Sequence, residues 1–152
     1  MNFVIICIGR ARRRNEGNLL KIYADRIKYP LKIIELEERK GFTGEELKSR
    51  ESKLLIDKIP KSAFVVALDL HGKQFSSDQF AKQVQDWQAQ NIRNLVFLIG
   101  GASGFSKMIW DRANFVMSLS LYTWPHLLVR VLLVEQIYRA QCILTGHPYH
   151  KI

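Results

Sequence analysis

Two stretches limit the folds open to this chain more than any others: Ala63-Phe-Val-Val-Ala-Leu68 and Leu95-Val-Phe-Leu-Ile99. Each is apolar at every position, without alternation, and each is short for a helix. Such a run reads as a strand covered on both faces, the environment of a parallel sheet packed between helices. The remaining segments fit that frame. Asn2 to Gly9 repeats the apolar run, and Leu31 to Leu36 adds a strand with β-branched Ile33 and Ile34. Phe115 to Ser120 reads as a last strand. Between them the apolar positions fall at helical spacing: Leu19, Leu20, Tyr23 and Ile27, then Leu47, Leu54, Leu55 and Ile59, then Phe80, Val84 and Trp87. Thr43 and Glu46 have capping-box spacing, Ser77 is placed to cap the next helix, and a short helix runs from Ser106 to Arg112. Pro30 and Pro60 end the first two helices. Strands alternating with helices give an α/β fold with a parallel sheet. No internal repeat or linker interrupts it, so residues 1–152 read as a single domain.

The last helix stands apart. Pro125 suits a first helical turn. Leu127, Leu128, Val131, Leu132, Val134, Ile137 and Tyr138 then cover nearly every face, broken only by Arg130, Glu135, Gln136 and Arg139. Such a helix must be buried on several sides, by its own domain or by a second subunit. In an open α/β sheet, ligands bind beyond the C-terminal strand ends. Three such ends carry unusual loops here: Leu68-Asp69, Gly100-Gly101 with Gly104, and Leu119 to Trp124 at the mouth of the long helix. Gly100 and Gly101 allow positive φ and close backbone approach to a bound group.

Composition then excludes several classes. No run of about twenty apolar residues is present, so no membrane span is expected. The apolar start, Met1 to Gly9, lacks a basic lead and a small-residue cleavage site and reads as a strand, not a signal peptide. Cys7 and Cys142 form no CxxC pattern, and a reducing cytoplasm is expected. His71, His126, His147 and His150 are scattered without ligand spacing, so no metal is expected. No GxSxG elbow, GxGxxG fingerprint or P-loop occurs. The net charge of +9 raises nucleic acid or an anionic surface as partner, against the plainer reading of a basic soluble protein.

Several motifs appear in order along the chain. They are Ile99-Gly100-Gly101 with Gly104, Pro125-His126 with Arg130-Val131, Glu135-Gln136 with Tyr138-Arg139-Ala140, and His147-Pro-Tyr-His-Lys151. Ile8-Gly9, Tyr23 with Arg26, Leu68-Asp69 and Gly72-Lys73 accompany them. In this combination the chain resembles the ribosomal large-subunit pseudouridine N3-methyltransferases of the SPOUT class over essentially its whole length. The resemblance implies a SPOUT fold with a C-terminal trefoil knot, a feature that ordinary topology rules would not suggest. It implies S-adenosylmethionine (S-adenosyl-L-methionine) as methyl donor, held by Leu68, Gly100, Gly101 and the loop Leu119, Ser120, Leu121, Tyr122, Thr123 and Trp124. Ser103 and Trp124 depart from the family pattern and are expected to tune the pocket.

The resemblance further implies a homodimer built on the long helix, acting on 23S rRNA in the assembled ribosome. Loss of the pseudouridine N3 imide proton calls for a base or a stabilising cation. His150, Arg130 and Tyr149 are the catalytic candidates, with His126 behind them. For Arg130 and Glu135 a structural ion pair is an equal alternative. Arg10, Arg12, Arg13, Arg14 and Lys73 are the expected RNA phosphate contacts, against a solvated charge run. Two other functions stay open: a SPOUT methyltransferase acting on another rRNA or tRNA base, and a non-catalytic ribosome-binding protein.

Overall fold

A computed structural model describes residues 1–11 and 14–150. Five strands form one sheet: β1 (Asn2–Ile8), β2 (Leu31–Leu36), β3 (Phe64–Gln74), β4 (Asn94–Ile99) and β5 (Phe115–Ser118). Five helices alternate with them: α1 (Asn15–Ala24), α2 (Gly44–Ile56), α3 (Ser77–Ala89), α4 (Lys107–Arg112) and α5 (His126–Leu144). The sheet order is β2-β1-β4-β3-β5, and every pairing is parallel.

The apolar runs divide between the two faces as period-2 geometry requires. Phe3, Ile5, Cys7, Val66, Leu95, Phe97 and Ile99 meet α1, α3 and α5, whereas Val4, Ile6, Val65, Ala67, Val96 and Leu98 meet α2 and α4. Strands buried on both sides cannot alternate with polar residues, which is why those runs stand out in the sequence. The long helix α5 is as enclosed as its composition demands: Leu127, Val131, Leu133, Val134, Ile137 and Ala140 are all buried.

Several local expectations shift. Thr43 is the N-cap of α2, but its side chain makes no capping hydrogen bond. The capping box belongs to α3 and is formed by Ser76 and Gln79, because the Ser77 hydroxyl is committed to donating to Gln136 at 2.8 Å. Pro125 is the N-cap of α5, its carbonyl accepting from the Leu128 and Val129 N–H groups. β3 runs past Leu68 into the segment read as a loop. Both Leu68 and Lys73 pair with Met117, so residues 69–72 bulge out of the ladder and the strand then resumes. Gly72 permits the return, since a β-carbon there would lie 2.5–2.7 Å from the Met117 backbone.

Candidate active site

The bulge of β3 at Leu68–Leu70 and the C-terminal ends of β4 and β5 open into a cleft of about 200 Å³. Its apolar wall is made by Leu68, Ile99, Phe105, Met117, Leu119 and Val129. The backbone of Gly100, Gly101 and Gly104 forms one side, and Ser120, Tyr122, Thr123 and Trp124 form the mouth. Every residue expected to hold a cofactor lines this cleft except Leu121, which points to solvent at 82% exposure. The cleft therefore sits where parallel-sheet topology places ligand sites.

The glycines serve it in a way the sequence did not reveal. Gly100 and Gly101 do not adopt positive φ; within this turn only Gly104 does, at +74°. Their lack of side chains makes room for neighbours instead. A β-carbon on Gly100 would stand 3.0 Å from the Phe105 ring, and one on Gly101 would stand 2.6 Å from a Glu51 carboxylate oxygen. Ser52, next to Glu51 on α2, accepts the Ser106 N–H at 3.0 Å and ties the same turn to that helix.

The mouth is organised by one hydroxyl. Ser120 Oγ accepts the Trp124 indole N–H at 2.7 Å and the Tyr122 N–H at 3.1 Å. Trp124 also borders a second cavity of about 350 Å³, on the α3–α5 side of the Met117–Ser120 segment. Asp69 contributes a carboxylate to the first cleft, held by the His71 N–H at 2.9 Å and the His71 ring at 2.9 Å. His126 adds an imidazole. Burial first, then the charges of Arg130 and Arg14, lower its proton affinity below that of an ordinary histidine. Its surroundings therefore favour the neutral ring. Among the described residues no lysine or arginine lines the cleft, in a chain of net charge +9.

Arg130, one turn beyond His126, does not line the cleft. Its side chain is fully buried and donates to the Glu35 carboxylate at 2.6 Å, the Gly9 carbonyl at 3.0 Å and the Ile8 carbonyl at 2.7 Å. It thus fastens α5 to the ends of β1 and β2. The ion pair weighed for Arg130 exists, but its partner is Glu35. Glu135 pairs with Arg139 at 2.6 Å instead.

The C-terminal tail folds back on α5 and forms a second polar cluster. Tyr149 donates to Glu135 at 2.9 Å, and Arg139 stands over the Tyr149 ring at 4.8 Å. His150 lies 3.4 Å from both Arg139 and Asp78. Burial, then the Glu135 hydrogen bond, hold the Tyr149 phenol well above its ordinary pKa, so it acts as a donor. Glu135 and Arg139 lie about two and a half to three and a half turns along α5 from His126, roughly 13–20 Å. One chain therefore does not bring Tyr149 and His150 to its own cleft.

Of the basic residues, Arg10 is exposed and 3.6 Å from Glu37, Arg14 is exposed before α1, and Lys73 lies 5.0 Å over the Phe75 ring. Arg12 and Arg13 lie outside the described residues. Among the described residues no three His, Cys, Asp or Glu side chains converge to hold a metal, and no helix is long and apolar enough to cross a membrane.

Sequence reasoning missed Glu35 and Glu51. The signal for Glu51 was its spacing: Leu47, Glu51 and Leu55 share one helical stripe, and the charge sits in the middle of it.

Comparison with known proteins agrees with this architecture. The family described as "Predicted SPOUT methyltransferase" matches residues 1–150. A ribosomal RNA large subunit methyltransferase H from Paramagnetospirillum magneticum is 42% identical over 99% of both chains, and its counterpart from Rhodospirillum centenum gives the same figures. A protein of that name from Christiangramia forsetii is 38% identical over 99% of both. A solved SpoU methyltransferase, AviRb from Streptomyces viridochromogenes, overlays with a TM-score of 0.46 at 12% identity, over 94% of this chain and 61% of its own, a likeness too loose to bear on the site.

Proposed function

The chain belongs to the SPOUT methyltransferase family, and on that premise we propose that it methylates N3 of a pseudouridine in the 23S rRNA of the large ribosomal subunit, with S-adenosylmethionine as donor. The observation that carries this reading is the make-up of the cleft. A ligand with a flat apolar base and a positive charge needs apolar walls, backbone polar groups and no competing cation. The strand-end cleft supplies each: Leu68, Leu119 and Met117 as walls, the glycine turn and the Ser120 loop as backbone, and, among the described residues, the Asp69 carboxyl with no lysine or arginine beside it.

When bound, S-adenosylmethionine supplies an electrophilic methyl group on a sulfonium. The chain's own residues must then orient the pseudouridine and take the N3 proton. We assign those tasks to the tail cluster of a second subunit. Glu135, Arg139, Tyr149 and His150 are mutually bonded on the outer side of α5, which suits a group presented to a partner. In that arrangement His150 accepts the imide proton, while the Tyr149 hydroxyl and Arg139 stabilise the anion left on the base. Arg130 acts indirectly, by fixing α5 and with it His126 and Val129. A homodimer is supported by apolar surface that one chain leaves open: Leu19 and Ile22 of α1 are 42% and 50% exposed, and Leu128 and Leu132 of α5 are half-buried. Arg10, Arg14 and Lys73 lie at the cleft end of the sheet, where phosphates of a docked RNA would pass.

The trefoil knot belongs to the same reading. Between Ser118 and Arg130 the chain travels from edge strand β5 to the end of β1, three strand spacings or about 14 Å, past the loop that follows β4. Threading through that loop is the route we propose. The cytoplasm, where ribosomes are assembled, is the corresponding location.

Calorimetric titration with S-adenosylmethionine tests the cofactor assignment. Micromolar binding is expected, and loss of binding in Thr123→Trp, which fills the mouth from an exposed position and spares the core. No binding by the folded wild-type protein would overturn the assignment.

A further inference from the structure

Glu51 takes no part in the steps assigned to the cleft lining and the tail cluster. It sits in the middle of α2 at 8% exposure, and its Oε2 is buried without a hydrogen-bond partner among the described residues. The other carboxylates in comparable surroundings are paired, Glu35 with Arg130 and Glu135 with Arg139. An unpaired buried carboxylate is costly, and an apolar residue would fit the Leu47–Leu55 stripe without that cost. Its position gives it a use. The two oxygens lie 2.6 and 3.0 Å from where a Gly101 β-carbon would stand, so the carboxylate rests directly against the turn that forms one side of the cleft. Only a glycine at this position lets it come so close.

We propose that Glu51 is a charge selector: its carboxylate, acting through the thin glycine turn, makes the cleft hold the cationic methyl donor more tightly than the uncharged product left after transfer. The inference rests on the cofactor reading given above. S-adenosylmethionine carries a positive sulfur, and S-adenosylhomocysteine, which remains once the methyl has gone, carries a neutral thioether. The rest of the two molecules is the same. A negative charge beside the cleft therefore acts on the difference between them and favours exchange of product for fresh donor. In the free protein, burial and then the Glu38 charge raise the Glu51 pKa, so the acid lacks the cation that would stabilise its ionised form. Among the described residues the cleft offers no lysine or arginine for that role. Unit charges roughly 12 Å apart at an effective dielectric near 20 attract by enough to change a binding constant about tenfold.

The test compares affinities for S-adenosylmethionine, S-adenosylhomocysteine and sinefungin, which bears an ammonium in place of the sulfonium. Wild-type protein is expected to bind both cationic ligands about tenfold more tightly than S-adenosylhomocysteine. Glu51→Gln should weaken the two cationic ligands about tenfold and leave S-adenosylhomocysteine within twofold, whereas Glu51→Asp should keep most of the preference. The comparison within the wild-type protein stands even if the glutamine variant folds poorly, and equal wild-type affinity for all three ligands overturns the inference. A preference that survives unchanged in a folded Glu51→Gln overturns it too. Both of those results leave the cofactor reading intact, while failure of the wild-type protein to bind any of the three overturns that reading and the inference with it.

Discussion

Replacing Arg130 by Met separates a residue that holds the fold from one that carries the chemistry. The guanidinium is fully buried and supplies three hydrogen bonds, at 2.6, 2.7 and 3.0 Å, to Glu35, Ile8 and Gly9. Methionine keeps much of the stem packing but removes every donor. The Ile8 and Gly9 carbonyls then lose their charged partner, and among the described residues Glu35 keeps the Ala11 N–H at 2.9 Å. Breaking a buried pair from one side costs about 3–5 kcal/mol. The lower end applies here, because the Glu35 side chain keeps 21% exposure and water can reach it. The expected loss is about 3 kcal/mol, a fall in Tm of roughly 6–12 °C for a chain of this size. Urea unfolding followed by tryptophan fluorescence, at one fixed protein concentration, measures it. Adding Glu35→Gln should recover part of the loss but not all of it, since both carbonyls still lack their partner; the coupling should be about 1–3 kcal/mol. A stability change below about 1 kcal/mol, with methyl transfer abolished, would refute the structural assignment and return Arg130 to the reaction.

Gly72→Ala should cost about 3 kcal/mol by urea unfolding, because its methyl meets the Met117 backbone. Gly41→Ala, in open space at φ +113°, should cost only about 1 kcal/mol of strain. The Cys7 thiol is pushed up to about 11, chiefly by burial, so the folded chain holds that proton after the unfolded chain has released it. Its contribution to stability is complete below pH 9 and is lost as pH rises toward about 11, at about 1.4 kcal/mol per unit, a slope that Cys7→Ala should remove. Tyr149→Phe should cost about 1 kcal/mol of stability through the lost Glu135 hydrogen bond, yet lower kcat at least tenfold if the tail serves the reaction; equal activity would sink that role.

The layers of the fold were legible because burial on both sides forbids polar alternation. The runs at 63–68 and 95–99 announce the central strands, and the enclosure of α5 follows from its apolar faces. The strand-end loops marked the cleft, since α/β topology leaves few other places for a ligand. Other features depend on contacts between residues far apart in the chain. Arg130 meets Glu35 across 95 positions, and neither residue type nor spacing advertises that pair. The strand beyond Asp69 was hidden because Asp, His and Gly read as a turn, and a bulge allows a turn and a strand to share one segment. At Gly100 and Gly101 the positive φ that glycine allows, a local property, is not adopted, while the space they leave for Phe105 and Glu51 is a tertiary fact.

The most direct measurement of the whole account is methyl transfer itself. Large subunits prepared without N3-methylpseudouridine are incubated with the protein and methyl-labelled S-adenosylmethionine, and the 23S rRNA is digested and analysed by nucleoside mass spectrometry. One labelled methyl group per subunit is expected, on N3 of a pseudouridine. Label on another base would contradict the proposed substrate, and binding to the subunit without any transfer would contradict the enzyme.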